Sequence, residues 1–161
     1  MVILIMGVSG SGKTTIGEGL ALELKWQFKD ADDFHSDANI EKMRQGIPLT
    51  DRDRQPWLQA LRQAIDKALQ SNANLVLACS ALKAAYRQAL GEPSGQVKFV
   101  YLKGSFELIA QRLGQRQGHY MKADLLRTQF YALEEPHDAI AVQIDQSPSA
   151  IVQQIKHCLH L

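Results

Sequence analysis

The chain has 161 residues, the size of one ordinary domain, and its 45% hydrophobic and 22% charged residues exclude a disordered composition. Its formal net charge of +1 argues against a nucleic-acid-binding protein, and no apolar run approaches the ~20 residues of a membrane-spanning helix. Two cysteines are too few for a disulfide framework. We therefore predict a single reduced domain, residues 1–161, that lies in the cytoplasm and contacts neither nucleic acid nor a membrane.

Apolar runs of strand length alternate with segments of helical period, which is typical of an α/β domain with a parallel sheet. Strands are predicted at residues 2–6, near 26–28, and at 75–79, 97–102 and 139–144. Apolar stripes predict helices at about residues 16–24, 57–69, 106–113 and 148–159. Ser105 and Ser147 are expected to cap the last two helices, and Trp57 is expected to open the second one and to pack in the core.

Two polar segments fit neither a strand nor a helix well. Residues 30–54 are rich in charged side chains, and residues 114–122 contain two glycines and few apolar side chains. In α/β domains such insertions lie at the carboxyl ends of the strands, where ligands bind. We therefore expect both segments to border a ligand site.

Residues 7–14, GVSGSGKT, fit the pattern G-x-x-x-x-G-K-[ST] between a predicted strand and a predicted helix. Glycines let backbone N–H groups turn towards phosphate oxygens, and the helix N-terminus adds its dipole. Lys13 is placed to bridge the outer phosphates, and the Thr14 hydroxyl is placed to bind Mg²⁺. The predicted nucleotide-binding residues of this phosphate loop are Gly7, Ser9, Gly10, Ser11, Gly12, Lys13, Thr14 and Thr15.

Three kinds of protein with such a loop compete as interpretations of this sequence: a GTPase switch, an ATPase motor and a small-molecule kinase. The guanine-reading segments Asn-Lys-x-Asp and Thr-Lys-x-Asp are absent, the strand near Leu75 ends in Cys79-Ser80 rather than in aspartate, and the chain is short for a motor. Phosphoryl transfer to a small acceptor remains, and it needs a carboxylate to orient or deprotonate a hydroxyl. Asp30 and Asp32 point the same way on an extended strand, so one can serve the metal and the other the acceptor.

The residues that follow these motifs resemble the small P-loop gluconokinases, ATP:D-gluconate 6-phosphotransferases related to shikimate and adenylate kinases. Beyond the phosphate loop, the likeness rests mainly on residues 30–35 (DADDFH), 51–57 (DRDRQPW) and 79–83 (CSALK). The resemblance implies a three-layer P-loop NTPase fold with a five-stranded parallel sheet flanked by helices. It also implies an acceptor-binding insertion at about residues 31–56 and a lid at about residues 114–123.

The resemblance further implies roles for individual side chains. Asp32 is the expected carboxylate beside the acceptor hydroxyl, and Asp30 is expected nearer the metal, with Thr14. The candidate contacts of the sugar acid are Asp32, His35, Arg54, Lys83, Arg87, His119 and Gln129. Arg112 and Arg116 are expected to close over the phosphates, with Arg116 joining Lys13 and Asp32 in catalysis.

The function that the resemblance implies is transfer of the terminal phosphoryl group of ATP, with Mg²⁺, to the 6-hydroxyl of D-gluconate. Two alternatives stay open: a kinase for another polyol acid or for shikimate, and a nucleotide-dependent switch that turns over ATP slowly. The glycine-rich acceptor motif usual in shikimate kinases is not evident. Because members of the family are often dimeric, a homodimer is the assembly that the resemblance suggests.

Overall fold

The computed structural model describes residues 1–91, 95–115 and 123–161, with the side chain of Ala123 left aside. Five strands are described: β1 Val2–Met6, β2 Gln27–Asp30, β3 Leu75–Ala78, β4 Val97–Lys103 and β5 Ile140–Gln143. They form one parallel sheet in the order β2-β3-β1-β4-β5. The predicted five-stranded parallel sheet is therefore confirmed.

Helices connect the strands. They are α1 Lys13–Leu24, α2 Asp37–Arg44, α3 Asp51–Gln70, α4 Ala84–Leu90, α5 Phe106–Gln115, α6 Ala123–Ala132 and α7 Pro148–Leu159, with a short 3-10 helix at Ala31–Phe34. The hydroxyl of Ser105 accepts from the N–H of Leu108, and that of Ser147 accepts from the N–H of Ala150. Both serines predicted as N-caps are thus confirmed. No helix within the described ranges is long and apolar enough to cross a membrane.

Helix α3 begins earlier than predicted. Trp57 was expected to open it, but the helix starts six residues before, at Asp51. Thr50 and Asp53 form a capping box, with Thr50 Oγ1 accepting from Asp53 N at 3.1 Å and Asp53 Oδ2 accepting from Thr50 N at 3.0 Å. Pro56, a residue that favours helix starts, masks this earlier start in the sequence. The expectation that Trp57 packs in the core is confirmed, since it is 5% exposed.

The segment 30–54 also contains more helix than its composition predicts. Helix α2 lies entirely within it, although it has little apolar surface. Its N-terminus is capped by Ser36, whose hydroxyl accepts from Asn39 N, and Lys42 pairs with Asp53 at 3.0 Å. Local capping and charge pairing therefore stabilise a helix here that no apolar stripe reveals.

The hydrophobic core lies on both faces of the sheet. Along β1, Val2, Leu4 and Met6 face α3, while Ile3 and Ile5 face the opposite layer of α1, α5 and α7. All five side chains are fully buried, as a central parallel strand requires.

Helix α1 approaches its neighbours closely at two glycines. A Cβ at Gly17 would come within 2.6 Å of Cε2 of the Phe28 ring on β2. A Cβ at Gly19 would lie 3.5 Å from Cγ2 of Val152 on α7, which is an ordinary contact. The lack of a side chain at Gly17 thus lets α1 pack closely on β2, whereas Gly19 faces α7 with room for a methyl group.

Candidate active site

The phosphate loop leaves the carboxyl end of β1 and leads directly into α1. Its turn needs glycine at Gly10 and Gly12, whose φ angles are 81° and 94°. Gly12 is the N-cap of α1 and supplies no side-chain hydrogen bond, and the first turn carries no acidic residue. The N–H groups at this helix end are therefore open to an anion, as the sequence motif predicts.

The side chains of the phosphate loop are tied to their surroundings. Lys13 Nζ donates to the Val8 carbonyl at 3.0 Å. Ser11 is 2% exposed. Among the residues that the structure describes, its Oγ is the only buried side-chain polar atom that has no hydrogen-bond partner. A Cβ on Gly7 would lie 2.7 Å from this oxygen. The Ser11 side chain therefore faces the inside of the loop, and its backbone N–H donates to the Val8 carbonyl at 3.2 Å.

Asp30 links the loop to the end of β2. Its Oδ2 accepts from Thr14 Oγ1 at 2.8 Å, and its Oδ1 accepts from Asp32 N at 2.9 Å. A hydroxyl beside a carboxylate suits Mg²⁺, which is usually held by few protein ligands together with substrate phosphates and waters. Across the described ranges, no group of three or more His, Cys, Asp or Glu side chains could hold a metal. Thr14 and Asp30 provide one hydroxyl and one carboxylate side by side, which are groups that could serve as ligands of this kind.

Asp32 follows Asp30 in the short 3-10 helix. Asp32 remains accessible to solvent, but its side chain is partly surrounded by the residues that line the main cavity. This partial burial raises the pKa of Asp32, and the negative charges of Asp30 and Asp33 raise it further against the opposing effect of Lys13. A carboxyl with a raised pKa is suited to accept a proton from a hydroxyl.

One cavity of about 460 Å³ joins the phosphate loop to the acceptor-binding segment. Its polar lining comes from the loop together with Asp30, Asp32, His35, Arg54 and Gln129. Its apolar lining includes Met43, Ile47, Pro48, Leu49 and Leu125, none of which was predicted individually as a site residue, although the first four lie in the predicted acceptor-binding insertion. Such a mixture of apolar walls and few polar groups is typical of small-molecule sites.

His35 and Arg54 reach the cavity from the side of α3. The imidazole of His35 stacks on Trp57 with ring centroids 4.5 Å apart and planes 8° apart. Arg54 Nη1 donates to Tyr86 Oη at 3.2 Å and lies 3.9 Å from Asp51 Oδ1. Tyr86 in turn donates to Asp51 Oδ1. Sequence reasoning did not assign Tyr86 a role, because nothing local reveals that it supports an arginine on another helix.

Lys83 and Arg87 do not line the cavity, although both were predicted to contact the acceptor. Lys83 Nζ pairs with Asp51 Oδ1 at 3.3 Å on the surface. The Arg87 guanidinium donates to the carbonyls of Ala81, Leu82 and Glu134 at 2.8–3.1 Å. Both cations are therefore bound to other groups of the protein, outside the lining of the cavity.

Gln129 lies at the phosphate loop as well as at the cavity. Its Oε1 accepts from Ser9 N at 2.7 Å, and its Nε2 donates to Ser9 Oγ at 3.0 Å. Helix α6 is thereby joined to the loop by two hydrogen bonds. Arg116 and His119, and most of the segment 114–123 predicted as a lid, lie outside the described residues.

A second cavity of about 240 Å³ lies against the phosphate loop. Its lining includes Gly10, Gly12 and Thr15 from the loop and Arg112 from α5. Arg112 Nη2 donates to the Ile144 carbonyl at 2.6 Å, which holds the guanidinium beside the cavity. The predicted nucleotide-binding residues Thr15 and Arg112 therefore line the same cavity.

Cys79 follows β3 beside the main cavity. It is 2% exposed, and burial raises the pKa of its thiol to about 12. A thiol in this state is not a nucleophile at neutral pH, so Cys79 acts here as a buried packing residue.

Comparisons with known proteins agree with this geometry. The shikimate kinase family model matches residues 9–160. A protein named "Probable gluconokinase" from Xenopus tropicalis is 44% identical in a match that covers 97% of this chain and 92% of that protein. The "Thermoresistant gluconokinase" of Escherichia coli is also 44% identical, and its match covers 94% of this chain and 89% of that protein. The crystal structure of a gluconokinase from Sinorhizobium meliloti superposes with a TM-score of 0.89 at 42% identity, over 99% of this chain and 91% of that one. The chain therefore belongs to the gluconokinase family of P-loop kinases, which shares its fold with the shikimate kinases.

Proposed function

We propose that this protein is a gluconokinase that transfers the terminal phosphoryl group of ATP to the 6-hydroxyl of D-gluconate. The observation that carries the proposal is that one cavity brings together the phosphate loop, the carboxylate of Asp32 and the cation of Arg54. The reaction requires a binding site for the phosphoryl donor, a proton acceptor and a positive charge that faces the sugar acid. The phosphate loop, Asp32 and Arg54 supply these in that order.

The nucleotide binds through the phosphate loop. Backbone N–H groups at the start of α1 and the ammonium of Lys13 hold the phosphates, while the nucleoside lies towards Arg112 in the second cavity. Thr14 and Asp30 would hold Mg²⁺. When bound, the metal supplies positive charge that offsets the charge of the phosphates.

The acceptor hydroxyl lies beside Asp32. Its oxygen attacks the terminal phosphorus in line, the bond from phosphorus to the bridging oxygen of ADP breaks, and the hydroxyl proton passes to the Asp32 carboxylate. The raised pKa of Asp32 makes this carboxylate a better proton acceptor than an ordinary aspartate. Arg116, predicted to stabilise the transferring charge, remains part of this proposal.

The acid end of the acceptor lies towards Arg54 and His35. A guanidinium binds a carboxylate strongly through charge-assisted hydrogen bonds. Tyr86 and Asp51 hold this guanidinium from behind, so Arg54 is oriented before the acceptor arrives. His119 and Gln129 stay predicted acceptor contacts, and a homodimer in the cytoplasm stays the predicted assembly and location.

The test is ADP release from ATP and Mg²⁺ with a panel of acceptors: gluconate, idonate, gulonate, glycerate and shikimate. We expect gluconate to raise turnover well above the rate without acceptor. Asp32→Asn should lower turnover by about 100-fold or more while nucleotide binding is retained. Its control is Asp33→Asn at the exposed neighbour, which should retain near-normal turnover. If no acceptor raises turnover while ATP binds, the proposal is wrong and a nucleotide-dependent switch becomes the better description.

A further inference from the structure

His35 is held against the cavity wall by two different contacts. One face of its ring stacks on Trp57, and its Nδ1 lies 3.4 Å from Nδ2 of Asn39. Stacking fixes the plane of the ring, whereas the Asn39 contact fixes its rotation within that plane. Within residues 1–91, 95–115 and 123–161, no hydrogen-bond partner is found for the other ring nitrogen, Nε2, while His35 lines the main cavity.

Asn39 is an unusual residue for this segment because it is 6% exposed on an otherwise polar helix. Its Nδ2 donates to the backbone carbonyl of Asp53 at 2.9 Å. A carbonyl can only accept, so the side-chain atom that faces it must be the NH₂ group, and the orientation of the amide is thereby determined. The same NH₂ group faces His35, and it can only donate there.

A donor facing Nδ1 requires a lone pair on that nitrogen. In a neutral imidazole the proton must then be on Nε2, which becomes a donor. Burial and the positive charge of Arg54 lower the pKa of His35, which agrees with a neutral ring at neutral pH.

We propose that Asn39 is a positioning residue that holds His35 protonated at Nε2, so that this N–H donates to an oxygen of the polyol acid bound in the main cavity. The proposal rests on the proposed function for the nature of the acceptor. It assigns one atom of one histidine to acceptor recognition. It also gives the buried amide of Asn39 a purpose beyond joining α2 to α3.

Two substitutions at His35 test which nitrogen matters. The amide nitrogen of glutamine reaches about as far as Nε2, whereas that of asparagine reaches only about as far as Nδ1. We expect His35→Asn to raise KM for gluconate by about 10- to 100-fold with little change in kcat, and His35→Gln to raise it by no more than about threefold. His137→Gln, at an exposed histidine, is the matched control. Equal increases in KM for both His35 variants would overturn the proposal, because they would show a packing role alone.

The tautomer itself is measured by ¹⁵N NMR of the His35 ring in the free protein, without acceptor. We expect the signature of a protonated Nε2 in the wild type. In Asn39→Asp, which replaces the donor by an acceptor, we expect the proton to appear on Nδ1. A protonated Nδ1 in the wild type, or an unchanged ring in folded Asn39→Asp, would overturn the role of Asn39. This measurement is independent of activity, so failure to phosphorylate gluconate would count only against the proposed function.

Discussion

Trp57 joins α3 to the segment that carries Asp30, the candidate metal ligand, and Asp32, the candidate catalytic carboxylate. Its Nε1 donates to the carbonyl of Ala31 at 2.7 Å, and Ala31 lies between Asp30 and Asp32. Both partners are buried, with Trp57 5% and Ala31 1% exposed. The bond therefore holds the backbone between the two carboxylates at a fixed distance from the helix.

Trp57→Phe removes this donor and retains an aromatic face for His35. A buried carbonyl that loses a donor costs about 1–3 kcal/mol in the free energy of unfolding. For a domain of this size the melting temperature should fall by about 2–12 °C. Because the Asp32 backbone is then less well held, we also expect kcat to fall by about tenfold or more with little change in nucleotide affinity.

Thermal unfolding and ADP release measure the two effects. Trp26→Phe is the matched control, since Trp26 is half-buried and its indole nitrogen has no hydrogen-bond partner among the residues described. If stability and kcat fall equally in the two variants, the hydrogen bond of Trp57 does not hold the segment that carries Asp30 and Asp32, and the reasoning is refuted.

Three further predictions concern the helix cap, the phosphate loop and α1. Hydrogen bonds from the N-cap backbone and from a neighbouring lysine lower the pKa of Asp53 from 3.8 to about 2. The Asp53 carboxylate therefore stabilises the fold above about pH 4, and this stabilisation is lost as the pH falls towards 2. Between these two pH values the melting temperature of Asp53→Asn should fall less than that of the wild type. Equal falls in the two proteins would contradict this argument. Gln129→Glu places a carboxylate beside bound phosphates and should weaken ATP binding, measured by calorimetry, by about tenfold or more, whereas exposed Gln88→Glu should not. In urea unfolding, Gly19→Ala should raise the free energy of unfolding by about 0.5–1 kcal/mol, since alanine favours the helix and has room there. Gly17→Ala should lower it by about 1–3 kcal/mol, because the added methyl group meets the aromatic ring of Phe28 on β2. Equal effects of the two substitutions would refute this packing argument.

The features predicted correctly from the sequence are those determined by neighbouring residues. The phosphate loop depends on glycine and lysine spacing within residues 7–14, and the serine caps depend on contacts three residues apart. The strands were recognisable because a buried parallel strand must be apolar on both faces. Where a local signal was misleading, as at Pro56, the start of α3 was placed too late.

The surroundings of the cavity depend on residues that are far apart in the chain. Ser9 and Gln129 are 120 residues apart, and Ala31 and Trp57 are 26 apart, yet each pair is joined by hydrogen bonds. No local pattern shows that Arg87 is used by three backbone carbonyls.

The sequence by itself determined the class of protein, because the phosphate loop and the aspartates at a strand end require only local geometry. Only the tertiary structure decided which of the predicted cations lines the main cavity. A side chain's place in the sequence does not reveal which distant groups satisfy its hydrogen bonds. Arg54 reaches the cavity because Tyr86 and Asp51 support it there, whereas Lys83 pairs with Asp51 at the surface.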